Sequence, residues 1–165
     1  MPMNILLLDD QGESTLLYKR VLDRAGHEAI AVQHVDVALG KLDRVDLVLI
    51  DLMILPAPAV MQREADIVQA GYRNAGQAEM ASGQVFGLYL WARRSSLKVP
   101  YGYVSSHPEK WLRNLKVDDD TEFAGMSEAE RKQLVLDRNA LRKVSALPGH
   151  CQRLVDIWRT RQWLQ

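Results

Sequence analysis

Apolar residues fall along this chain in two patterns, short unbroken runs and longer stretches with helical spacing. Ile5 to Leu8 and Leu47 to Ile50 are unbroken runs, the pattern of strands buried on both faces. Asn4 to Leu8 is read as the first strand, Glu28 to Val32 as the second and Asp46 to Ile50 as the third. Ser14 to Ala25 lies between the first two. It places Leu16, Leu17, Val21 and Leu22 on one helical face and Lys19, Arg20, Asp23 and Arg24 elsewhere, and Gly26 closes it. Val35 to Leu42 reads as a second helix. Strand-helix-strand-helix-strand with short connections predicts a parallel sheet covered by helices on both faces.

The second half is less regular. From about Leu55 to Met80 the chain is rich in Gln, Ala and Glu, and Met61, Ile67, Val68 and Tyr72 suit a helix. Gly71, Gly76 and Gly83 argue against one continuous helix. Gln84 to Arg94 is a stronger helix, burying Val85, Leu88, Tyr89 and Trp91. Tyr101 to Val104 is the fourth strand, and Glu109 to Leu115 a short helix. Val117 to Glu122 reads as an acidic, solvated loop. Ser127 and Glu130 form a capping box that starts a helix running to about Leu136. Ala140 to Arg142 is read as the fifth strand, ending at Lys143. Pro148 to Trp163 is the last helix; Leu154, Ile157 and Trp158 face inward, and Trp163 is expected at the surface.

Composition narrows the classes. The chain has 165 residues and a formal net charge of zero, enough for one domain with a real core and without a basic surface for nucleic acid. A single cysteine, Cys151, excludes an internal disulfide framework and fits a reducing compartment. The start lacks the basic and apolar regions of a signal peptide, and no segment reaches the ~18 unbroken apolar residues of a membrane span. The expectation is a cytoplasmic protein.

The candidate chemistry lies where strands end. Asp9 and Asp10 follow the first strand and Asp51 the third. Open parallel sheets bind ligands just outside the carboxyl ends of their strands. Carboxylates gathered there repel one another unless a cation neutralises them, and hard oxygen ligands point to Mg2+. Each residue alone has an ordinary explanation: aspartates start helices, Ser105 suits a turn and Lys143 suits a solvated surface. His107, before Pro108, suits a turn, and His34 and His150 show no metal-ligand spacing with each other or with Cys151.

Ile5-Leu6-Leu7-Leu8-Asp9-Asp10, Leu47-Val48-Leu49-Ile50-Asp51-Leu52-Met53, Val99 through Ser106, and Ala140-Leu141-Arg142-Lys143 together resemble the receiver domain of two-component response regulators, the CheY-like family. The resemblance covers most of the chain outside two insertions, at about 55–80 and 116–138. It implies a single receiver domain over 1–165 with the flavodoxin-like fold, a five-stranded parallel sheet in the order 2-1-3-4-5 with helices on both faces. Asp51 would be the phosphoacceptor. Asp9, Asp10, Asp51 and the backbone carbonyl of Met53 would hold Mg2+, while Lys143 and Ser105 would contact the phosphoryl group. The donor would be a histidine kinase or a phosphotransfer protein, and the signal would pass by protein contacts to a downstream target, with a homodimer as one form. Such a domain is not an enzyme beyond its own phosphorylation and dephosphorylation. With the chain ending at Gln165, a stand-alone receiver or phosphorelay member without an output domain is expected.

Two other classes remain in play. The family's strand-five aromatic would fall at Ala140 or Leu141, and the proline that often follows its lysine is Val144. These departures suit a pseudo-receiver, an interaction module that does not use phosphorylation. A small Mg2+-dependent phosphohydrolase with Asp9 as nucleophile is disfavoured, because Asp9-Asp10 lacks Asp-x-Asp spacing.

Overall fold

The computed structural model describes residues 1–54 and 56–165; Leu55, the expected start of the first insertion, lies outside them. The chain runs β1 (Asn4–Leu8), α1 (Gly12–Arg24), β2 (Glu28–Val32), α2 (Val35–Leu39), β3 (Leu47–Ile50), α3 (Gln62–Asn74), α4 (Gln84–Ala92), α5 (Arg94–Leu97) and β4 (Tyr101–Ser105). It continues with β5 (Lys116–Val117), β6 (Asp120–Thr121), α6 (Glu128–Leu134), β7 (Val135–Asp137) and α7 (Leu147–Thr160). The main sheet has five parallel strands in the order β2-β1-β3-β4-β7. This is the expected flavodoxin-like order, with helices around it. The centre is sealed: every residue of β3 and β4 is buried, as unbroken apolar runs require. No helix among the described residues is long and apolar enough to cross a membrane.

The fifth strand is not where the pattern placed it. Ala140 belongs to a 3-10 turn and Leu141 and Arg142 to no strand. The strand is Val135–Asp137, paired in parallel with β4 through Tyr103↔Val135 and Ser105↔Asp137. The expected capping box does start α6, with Ser127 accepting from the Glu130 amide and Glu130 from the Ser127 amide. But α6 stops at Leu134, and the next residue is already strand. Val135 and Leu136 extend the helix's apolar face as well as they fill a strand, so periodicity continued the helix through them. The stretch 116–138 is therefore more than an insertion, since it supplies α6 and the sheet's edge strand.

Three further expectations are corrected. On α1 the buried face is Thr15, Tyr18 and Leu22, while Leu16 and Leu17 are exposed. Trp163 is buried, stacked on Phe123 and edge-on to Trp91 and Trp158. Glu109–Leu115 forms only a 3-10 turn at Pro108–Lys110, after which Trp111 and Leu112 turn into the core.

The acidic loop divides in two. Asp118 and Asp119 sit at positive φ, 53° and 63°, as the two-residue turn of the β5–β6 hairpin demands. Asp118 pairs with Arg63 and Asp120 with Arg94. Glu122 is instead fully buried. It accepts from the Tyr101 hydroxyl, the Tyr103 hydroxyl (2.6 Å), Trp111 Nε1 (2.9 Å) and Gln84 Nε2 (3.0 Å). Burial pushes its carboxyl up, and the four donors pull it partly back. Gln84 also clasps the backbone of Leu112, accepting from its amide and donating to its carbonyl, both at 2.8 Å. Gly87 makes the cluster possible, because a Cβ there would lie 1.7 Å from the Tyr103 hydroxyl.

Candidate functional site

Asp9 and Asp51 stand at the ends of adjacent strands, locked in register by Leu8↔Ile50 pairing of β1 and β3. Asp10 follows Asp9. Ligand oxygens of Asp9, Asp10 and Asp51 lie within 4.8 Å of one another, with Asp9 and Asp51 buried and Asp10 exposed. The expected acidic cluster is therefore present. Asp9 Oδ1 accepts from the Gln11 amide at 2.8 Å and Asp51 Oδ1 from the Met53 amide at 3.2 Å, which orients both carboxylates. Gly83 packs against the Asp51 carbonyl, where a Cβ would come within 2.0 Å of that oxygen, and its amide donates to Leu52. The α4 N-terminus thus braces the segment that carries Asp51.

Burial first, and then the Asp9 carboxylate, push the Asp51 carboxyl up to about 6. The Met53 amide, the Arg138 guanidinium and the Ser105 hydroxyl oppose this. Ser105, at the end of β4, is fully buried beside this group, and its hydroxyl accepts from the His107 amide at 3.1 Å. The expected serine is in place.

The basic partner differs from the expectation. Lys143 is exposed, six positions beyond the end of β7, and makes no ion pair among the described residues. Arg138, directly after β7, reaches the cluster instead. Its Nη2 lies 2.7 Å from Asp9 Oδ2 and 3.8 Å from Asp51 Oδ2, with its side chain 14% exposed. The misplaced fifth strand concealed this residue. The available signal was Val135-Leu136-Asp137-Arg138 itself, a short apolar run ending in a cation. An arginine offers a planar fork of donors and is always charged, so the cluster has one permanent cation against its carboxylates.

The donor set fits a hard divalent cation: three carboxylates from two strand ends, all oxygen ligands. Burial and then the neighbouring Asp9 carboxylate raise the Asp51 carboxyl, and a cation at the cluster would oppose both.

No family model matches the chain, and no curated protein matches it. Solved structures do. The signal receiver domain of a modulated diguanylate cyclase from Desulfovibrio desulfuricans aligns with 98% of this chain and 99% of its own, at 12% identity and a TM-score of 0.51. NtrX from Brucella abortus aligns with 98% of this chain over 28% of its own length, at 17% identity and a TM-score of 0.50. At such identities the likeness is one of fold. This chain has the receiver fold of response regulators.

Proposed function

We propose that this chain is a phosphoacceptor signalling domain of a two-component system, phosphorylated on Asp51 in the presence of Mg2+. The observation that carries the reading is the convergence of Asp9, Asp10 and Asp51 within 4.8 Å at the carboxyl ends of the sheet, flanked by Ser105 and Arg138. Asp51 Oδ attacks phosphorus, forming an acyl phosphate as the donor's P–N bond breaks. The donor is a phosphohistidine of a histidine kinase or phosphotransfer protein. Asp9, Asp10 and Asp51 hold Mg2+, with the Met53 carbonyl as a further ligand; the ion supplies charge neutralisation for an anionic acceptor meeting an anionic donor. Arg138 takes the part expected of Lys143, offering N–H donors to phosphoryl oxygens. Ser105 donates its hydroxyl to the same group, and the output passes through protein contacts.

The test is incubation with Mg2+ and acetyl phosphate, followed by intact mass. One added phosphoryl group, labile to hydroxylamine and absent from Asp51→Asn, supports the assignment. Equal labelling of the variant would overturn it.

One observation favours a second reading. Arg138 already satisfies Asp9 at 2.7 Å and serves as a built-in cation, as a phosphorylation-independent interaction module would have it. Mg2+ titration by calorimetry separates the two. A specific site lost in Asp51→Asn supports the phosphoacceptor, and no site supports the module.

A further inference from the structure

A cavity of about 890 Å³ lies away from the acidic cluster, between α6, β7, the turn after β7 and the start of α7. Its volume is that of a pocket for a small organic ligand. Val135, Leu136, Ala140 and Leu141 supply an apolar lining, and Lys132, Arg142, Lys143 and Arg153 supply cations. Those four make no ion pair among the described residues. A fifth cation, Arg131, is paired with Glu128. The one carboxylate in the lining is Asp137, which caps the Asn139 amide. Clustered unpaired cations in a concave, partly apolar wall concentrate anions.

His150 adds a specific polar feature. It lines the cavity, is 0% exposed, and its Nε2 has no hydrogen-bond partner. Its other nitrogen, Nδ1, lies 3.0 Å from Gln133 Oε1. The same oxygen lies 3.1 Å from Arg153 Nε, which can only donate. The atom facing both is therefore the amide oxygen, and Nδ1 must carry the proton. Nε2 is left as a bare lone pair, buried and unsatisfied, an arrangement that ordinarily costs stability. Burial also holds the ring neutral, pushing its pKa down to about 4, so Nε2 accepts rather than donates.

We propose that this cavity binds an organic phosphate of nucleotide size: phosphates on Arg142, Lys143, Lys132 and Arg153, an apolar ring system against Val135 and Leu141, and an amino or hydroxyl donor to His150 Nε2. Ala146, at the uncapped N-terminus of α7, also lines the cavity, leaving that helix end without a competing side-chain acceptor. The inference is independent of phosphorylation at Asp51. It uses Lys143, which the acidic cluster does not, and it can be tested with no divalent cation present.

The experiment is calorimetric titration of the whole chain in EDTA with ATP, and in parallel with adenosine and inorganic phosphate. ATP should saturate a single site, with adenosine and phosphate each weaker by roughly tenfold or more, since each lacks half of the contacts. Arg142→Glu and Lys143→Glu, both at exposed positions, should each weaken ATP by about tenfold. The His150 ring Nε2 resonance should shift on binding, as a lone pair gains a donor. No saturation by about 1 mM ATP would overturn the proposal. So would phosphate binding as tightly as ATP, or ATP binding unaffected by both charge reversals with His150 unmoved.

Discussion

Glu122 and Asp51 are both carboxylates withdrawn from solvent, 2% and 4% exposed, yet their surroundings are opposites. Glu122 stands alone among neutral donors: two tyrosine hydroxyls, an indole N–H and a glutamine amide. Every lone pair it presents inward is used. Asp51 has another buried carboxylate beside it, a third nearby at the surface, and a cation that sits closer to Asp9. The first arrangement holds an irregular segment onto the core. The second is a poor way to build a core and a good way to bind something. Burial of a charge is not the mark of a site; an excess of like charges over the groups that satisfy them is.

The largest effect should come from Glu122→Ala. Each buried donor left without a partner costs about 1–3 kcal/mol, so urea unfolding should show a loss on the order of 4 kcal/mol. Glu122→Gln should cost far less, because the tyrosine hydroxyls can reverse and accept while Trp111 and Gln84 keep their oxygen. If both variants lose equally, the cluster is held by charge rather than by hydrogen-bond count.

At the other carboxylate the sign reverses. A carboxyl moved from 3.8 to about 6 is charged at pH 7 at a cost of about 3 kcal/mol. Without divalent ions, Asp51→Asn should therefore be more stable than the parent at neutral pH, by up to that amount. The folded state holds this proton more tightly than the unfolded chain does, so Asp51 makes stability fall as pH rises from about 4 to 6. His150 works the other way. Its folded pKa is depressed from 6.5 to about 4, so its contribution is present above 6.5 and is lost as pH falls through that window, again by about 3 kcal/mol. The two slopes largely offset one another in the parent. Asp51→Asn should expose the histidine slope in unfolding free energies measured from pH 4 to 6.5.

Smaller effects test how each carboxylate is braced. Gly87→Ala drives a methyl into the Tyr103 hydroxyl and should cost about 1–3 kcal/mol. Gly83→Ala meets the Asp51 backbone, which cannot rotate aside. It should cost a similar amount and, in addition, weaken Mg2+ binding measured by calorimetry. Gly87→Ala should leave that binding unchanged, which distinguishes the two clusters.

The acidic cluster and four strands were legible because unbroken apolar runs ending in aspartate leave few alternatives. Arg138 and Glu122 were not, for separate reasons. Arg138 depends on a three-residue strand that follows α6 without a turn residue between them, so no Gly, Pro or Asn marks the change of period. Glu122 follows Asp118-Asp119-Asp120 and shares their composition. Only the tertiary positions of Tyr101, Tyr103, Trp111 and Gln84 separate it from its solvated neighbours. The face of α1 was misjudged because Leu16 and Leu17 outweigh Thr15 on any hydropathy scale, although Thr15 tucks its hydroxyl onto the Gln11 carbonyl at 2.8 Å and can be buried at little cost.

The absence of any loop between Leu134 and Val135 places the cavity wall and the acidic cluster on one short stretch of chain. The other main-sheet strands that follow a helix, β2, β3 and β4, are each reached through three or more intervening residues. Here α6 and β7 form one unbroken segment, with Glu130 near its start paired to Arg161 and Arg138 just past its end. Its middle forms a wall of the large cavity and its tip touches Asp9.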